Sequence, residues 1–152
     1  VAHARFSKMG KERFIKKYHA IVHGNFESTE LTGLIDEPIG KIDSGVKRGV
    51  IPDGKSAQTE YKVLKQVPGA SLVELRLLTG RTHQIRVHMA YLGHPLYGDQ
   101  LYGVKDSFSR QALNCFYLSF PDPVNSEKDK TVEISDPSDM QNLWQKLINK
   151  KF

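Results

Sequence analysis

Residues 77–103, LLTGRTHQIRVHMAYLGHPLYGDQLYG, restrict the possible folds more than any other part of this chain. An apolar run ends at Gly80, a residue that lets the backbone turn with positive φ. Thr82 is a good N-cap, and the spacing predicts a helix from there to about Leu92. Ile85, Met89 and Leu92 fall at i, i+4 and i+7, one apolar stripe that must face a core. Gly93 stands where a helix C-terminus favours glycine, and Pro95 prevents continuation. Arg81, His83, Gln84, Arg86 and His88 crowd the first turns, where free backbone N–H groups and the helix dipole already favour an anion. One arginine in that place reads as a surface charge. A cluster behind a glycine turn reads as a site.

The rest of the chain supplies layers on which such a helix can sit. Residues 1–17 read as an amphipathic helix with Phe6, Met9 and Phe14 as apolar contacts, weakened at Gly10 by roughly 1 kcal/mol relative to alanine. Residues 18–24 alternate, with Tyr18, Ala20 and Val22 on one side and His19, Ile21 and His23 on the other, the pattern of a half-buried strand. Residues 31–35, 57–67 and 71–78 are further strands, the last two separated by the Pro68-Gly69 turn. Residues 36–56, with several glycines and the Lys47-Arg48 pair, read as an exposed basic loop. Residues 113–120 read as a buried strand and 131–135 as a short one. A final helix is expected with Asp136 as cap, Pro137 at its first position, and Met140, Leu143, Trp144, Leu147 and Ile148 as its stripe. Strands and helices without regular βαβ alternation predict a single α+β domain over residues 1–152, built on a mainly antiparallel sheet.

Charge and cysteine usage narrow the class. The chain carries a net +5, with 22 Lys+Arg against 17 Asp+Glu. Residues 1–105 hold 16 basic and 10 acidic side chains and the remainder holds 6 and 7, so the basic excess lies on the body of the domain and fits a polyanionic partner. Cys115 is the only cysteine, which excludes an intrachain disulfide and a cysteine-based metal site. A reducing, cytoplasmic setting is the expectation. His83 and His88 are five apart and lie on different faces of the predicted helix, so no metal site is expected.

The segment TGRTHQIRVH…LGHPLYGDQLYG, together with KKYHAIVHG at residues 16–24 and GKSAQTEYKV at residues 54–63, closely resembles the RNA pseudouridine synthases of the RluA-like, ribosomal large-subunit branch. The resemblance implies a pseudouridine synthase-like fold, a mainly antiparallel mixed sheet with flanking helices and the active cleft across the sheet. It implies isomerisation of uridine to pseudouridine in structured ribosomal or transfer RNA, with no cofactor and no metal. By this resemblance Arg86 is the basic partner of a catalytic aspartate: a guanidinium offsets the carboxylate's desolvation and grips it bidentately without losing its proton. Tyr18 matches the tyrosine that stacks on the target base, a contact worth roughly 1–3 kcal/mol. Leu113 falls where the family keeps a pocket-lining aliphatic, a role that plain core packing would fill equally well. Lys16, Lys17, Lys47, Arg48 and Arg81 are candidate phosphate contacts, and His83 and Gln84 are expected to order the helix entrance or touch RNA.

The sequence also departs from that family. Asn114 stands where a histidine is common, and Asp122 where the family often has His-Pro. The family's catalytic aspartate lies in an HRLD segment upstream of the tyrosine, whereas the 17 residues before Tyr18 contain no aspartate. The domain is therefore expected to be N-terminally incomplete, with the aspartate on a segment of the same protein or on another chain, and these 152 residues alone are expected to be inactive. Arg86 would then be an unpaired cation. The alternative is a non-catalytic RNA-binding module derived from a synthase domain.

Overall fold

The computed structural model of the chain describes residues 14–150. Its centre is a six-stranded sheet made of β1 (Ile15–His23), β2 (Thr32–Asp36), β5 (Gln58–Val67), β6 (Ala70–Leu77), β7 (Leu113–Pro121) and β8 (Asp129–Glu133). The spatial order is β2-β5-β6-β1-β7-β8, and each neighbouring pair is antiparallel. A separate antiparallel hairpin pairs β3 (Ile39–Lys41) with β4 (Arg48–Val50). Two helices complete the described fold, α1 (Gln84–Tyr91) and α2 (Ser138–Asn149). This is the α+β architecture with a mainly antiparallel sheet that the sequence predicts.

The alternation in β1 decides which helix covers which face. Ala20 and Val22, with Val73 and Leu75 of β6, form one buried cluster against Ile85 and Met89 of α1, with Tyr18 and Leu113 packed at its border. Ile21 points the other way, into a second cluster with Met140, Leu143 and Trp144 of α2. Burying Ile85 and Met89 contributes about 1.5–3 kcal/mol each, enough to seat a helix of only eight residues. A third cluster of Ile39, Ala57 and Val87, with Val50 and Tyr102 against it, fastens the hairpin to the outer side of α1.

Several local expectations are corrected. Residues 15–17 are strand, because the ladder continues to pair Ile15, Lys16 and Lys17 with Ser119, Leu118 and Tyr117 of β7; the remainder of the expected first helix, apart from Phe14, lies outside the described residues. The stretch 36–56 is not simply loop, since Ile39 bridges to Lys55 and buries itself while Val50 pairs with it. Thr82 does not cap α1. His83 occupies that position in the left-handed region, φ 57°, and gives no side-chain cap. Nor does Asp136 cap α2, because its carboxylate accepts from His19 at 2.9 Å and from Asn114 at 3.0 Å; Pro137 takes the cap position. Ile148 is exposed, and β7 is half-buried along most of its length.

Candidate active site

The turn that launches α1 is held by a glutamine. Gln84 is buried, and its Oε1 accepts from the Thr79 hydroxyl at 2.8 Å and the Arg81 N–H at 2.9 Å. Its amide nitrogen donates to the carbonyl of Gln58 and to the hydroxyl of Thr59, both at 2.9 Å. Thr59 in turn donates to His88 Nδ1 at 2.8 Å, and His88 Nε2–H donates to the Glu37 carbonyl at 2.9 Å. Burial lowers the His88 pKa and keeps this ring neutral. The chain of bonds pins α1 to the sheet at β5 and to the approach to the hairpin. Of the two roles expected of Gln84, ordering the helix entrance fits the structure, since its side-chain amide is saturated inside the protein.

Two residues further along α1, Arg86 meets a carboxylate. Its Nε donates to Asp99 Oδ2 and its Nη2 to Oδ1, both at 2.9 Å, a bidentate fork. Asp99 is fully buried, Arg86 is 15% exposed, and the Tyr102 N–H donates to the same carboxylate at 3.2 Å. These bonds raise the Arg86 pKa, so the guanidinium is a permanent cation. Arg86 is thus not the unpaired charge that the sequence led one to expect. The Tyr102 ring lies beneath it, 5.0 Å from the guanidinium carbon.

The loop carrying Asp99 is rigid for identifiable reasons. Gly98 has φ 79°, and a Cβ there would fall 1.7 Å from the Arg110 carbonyl oxygen, so only glycine fits. Its N–H donates to Asp106, which also accepts from the Phe108 N–H and from His23 Nε2 at 2.8 Å. Burial pushes the Asp106 pKa up, but these donors outweigh it and the net shift is downward. The His23 ring stacks on Tyr97 at 3.7 Å, tying the loop back to β1.

Tyr18 sits in mid-sheet on β1, facing the α1 side with Leu113 at the edge of the same apolar cluster. Burial, with the neighbouring Cys115, raises its pKa above the ordinary phenol value. It is therefore an uncharged hydroxyl on a flat ring. Lys17, the next residue along the strand, projects to the opposite face, where its ammonium lies 5.1 Å from the centre of the Tyr117 ring. The expectation that Lys17 joins the site is not met. Lys16 is exposed and lines a small cleft beside Thr79 and Gly80, on the side of Tyr18.

The basic residues assemble across the hairpin. A cleft of about 480 Å³ lies between it and the Gly80 turn, lined by Lys41, Arg48, Lys55 and Arg81, with Asp53 as the acid among its lining residues. Arg81 Nε donates to the Ser56 carbonyl at 2.7 Å, and Arg48 Nη1 to the carbonyl of Val46 at 2.9 Å, so both guanidiniums are oriented. Lys47 lies beside this cleft in sequence and does not line it. His83 does not reach outward with both nitrogens: its Nδ1 bonds the Tyr102 hydroxyl at 2.7 Å. Sequence reasoning missed Lys41 and Lys55, which lie 14 positions apart and meet only because Ile39 bridges to Lys55. It also missed Tyr102, although the D-x-x-Y spacing to Asp99 was in plain view.

Similarity to known proteins follows the same residues. The family model described as RNA pseudouridylate synthase matches residues 1–91. The uncharacterized RNA pseudouridine synthase YjbO of Bacillus subtilis (strain 168) is 46% identical over 129 residues, covering 83% of this chain and 45% of YjbO. The ribosomal large subunit pseudouridine synthase D of Zymomonas mobilis is 37% identical over 161 residues, covering 97% of this chain and 50% of that protein. The chain thus spans about half the length of these relatives. Among solved structures, human RNA pseudouridylate synthase domain containing 1 superposes with a TM-score of 0.75 at 27% identity, covering 98% of this chain and 70% of that one.

Proposed function

The chain belongs to the RNA pseudouridylate synthase family, in its RluA-like branch, and from that premise we propose that it forms part of the catalytic domain of an enzyme isomerising uridine to pseudouridine in structured ribosomal or transfer RNA. The reaction breaks the bond from C1′ of the ribose to N1 of the base, turns the base, joins C1′ to C5, and moves the C5 proton to solvent while N1 regains one. Atoms and electrons balance within the substrate, so the chemistry calls for no cofactor.

In this reading Arg86 holds the attacking carboxylate ionised. The observation that carries it is the fork from Arg86 to the buried Asp99. Nε and Nη2 are committed to Asp99, which fixes the plane of the guanidinium and leaves Nη1 outside the fork to receive a second carboxylate. A preset donor of this kind costs no reorganisation when the charge arrives. Asp99 is a holder here and not the nucleophile, since its oxygens are already bound by three donors. The attacking aspartate is assigned to a segment of the protein outside these 152 residues. Tyr18 supplies the ring on which the base stacks, and Leu113 the aliphatic wall beside it. Lys16, Lys41, Lys47, Arg48, Lys55 and Arg81 receive phosphates, in the cytoplasm and in a protein whose one cysteine is free.

Chemical mapping of pseudouridine in a pool of ribosomal and transfer RNA tests the reading. The protein including upstream residues is expected to modify specific uridines, and the 152-residue chain to modify none. Arg86→Ala in the longer protein is expected to abolish turnover with RNA affinity within a few-fold of wild type. Normal turnover combined with weakened RNA binding would make Arg86 a phosphate contact and overturn its role.

A further inference from the structure

Tyr102 touches Asp99, Arg86, the start of α1 and the hairpin at once. Its N–H donates to Asp99, its ring lies under Arg86, and its hydroxyl meets both His83 at the start of α1 and the Arg48 N–H of β4, at 2.7 and 2.9 Å. Arg48 belongs to the hairpin that lines the basic cleft with Lys41, beside Lys55. We propose that Tyr102 is a positioning residue whose hydroxyl locks the hairpin to the helix start, so that the phosphate-holding cleft and the preset Arg86 keep one fixed placement relative to each other. This rests on the reading given under Proposed function and adds to it a path from the RNA-holding surface to the catalytic pair.

The hydrogens make the lock specific. A backbone N–H can only donate, so the Tyr102 oxygen accepts from Arg48, and its own proton is available to His83 Nδ1. That nitrogen must then be an acceptor, which requires a neutral His83 with its proton on Nε2. Burial, then Arg86 on α1 and Arg48 on β4, lower the His83 pKa, while Asp99 on the following loop opposes them. All four influences face the ring, and the net effect keeps it in the form the lock needs. Protonation would turn Nδ1 into a donor and force the Tyr102 hydroxyl proton elsewhere. It would also bring a third cation against the two arginines. The lock is therefore complete with a neutral His83 and is weakened in acid. His83 supports the same idea through its backbone: at φ 57° and ψ 24° it is, among the described residues, the one non-glycine residue at positive φ, a conformation that persists where surrounding contacts over-determine it. Packing alone is a different role. Tyr102 borders the cluster of Ile39, Ala57 and Val87, and phenylalanine would fill that place equally well.

Tyr102→Phe in the protein with its upstream residues separates the two roles, because it keeps the ring and the N–H to Asp99. A misplaced Arg86 should lower kcat on the order of tenfold or more, with KM and RNA affinity little changed and melting within a few degrees of wild type. The acid limb of the kcat profile should flatten, and the His83 ring, followed by NMR, should titrate at a higher pH once the donor to its neutral form is gone. His83→Asn, a residue that tolerates the left-handed conformation, should show the same loss of kcat, and the double variant no further loss. Unchanged kcat with an unchanged acid limb, additive losses in the double variant, or a His83 titration that does not move would each overturn the proposal. If the wild-type protein makes no pseudouridine, the function assigned above fails, while the His83 titration still decides whether the lock exists.

Discussion

Arg86→Ala should destabilise this protein by more than any surface substitution. The substitution leaves Asp99, which is fully buried, with the Tyr102 N–H as its remaining donor of the three and no cation beside it. Removing one partner of a buried ion pair costs about 3–5 kcal/mol. In a domain of this size each kcal/mol moves Tm by roughly 2–4 °C, so a drop of about 10 °C is expected near neutral pH. The reverse change, Asp99→Asn, strands a charge that is still 15% exposed and keeps one acceptor for it. It should cost less, about 1–3 kcal/mol. Thermal melts of wild type and both variants near neutral pH measure the two deficits. An Arg86→Ala deficit smaller than that of Asp99→Asn would refute the buried-pair account.

Two further outcomes follow from the same structure. His88 has its pKa lowered by burial and is neutral when folded, so stability should be fully present above its unfolded pKa of about 6.5 and fall as pH drops below it; a pH series of denaturant melts checks this, and His88→Gln should flatten that fall. RNA affinity should weaken steeply with salt, each neutralised phosphate contributing about 0.7–0.9 to the log-log slope; Lys41→Glu with Lys55→Glu should reduce the slope by about 1.5, whereas Lys17→Glu on the opposite face should leave it unchanged.

Much of the sheet was legible because its strands carry their own period. In β1 the two sets, Ala20 and Val22 against Ile21, enter separate cores in the order the alternation implies. Where the pattern is shorter than about one repeat, it fails. The β3–β4 hairpin has three residues a side, and Ile39 and Val50 cannot be told from isolated apolar residues in a glycine-rich loop until the partner is known. Residues 15–17 failed for the opposite reason. Ile15-Lys16-Lys17 suits an amphipathic helix as well as a strand, and the ladder to β7, a hundred residues away in sequence, decides between them.

The site divides along the same line, and the division explains which roles were misjudged. Arg86 belongs to a polar cluster visible on one helix, but its ion-pair partner Asp99 was not legible, because the identity of a buried ion pair depends on which loop folds back. Asp99 reaches Arg86 only because Gly98 takes a conformation closed to other residues and Asp106 secures the loop to His23 of β1. An arginine judged from local sequence is assigned the partner its chemistry requires. The three-dimensional arrangement supplies a carboxylate from the following loop, Asp99, and that carboxylate holds it rigid. Gln84 and His83 show the converse. Both look like outward-facing polar residues at a helix start, yet Gln84 is saturated by Thr79, Arg81, Gln58 and Thr59, and His83 turns one ring nitrogen inward to Tyr102. A polar cluster at the beginning of a short helix thus splits into residues that hold the helix in place and residues that act from it. The hydrogen-bond inventory, which no sequence pattern states, is what separates Gln84 from Arg86.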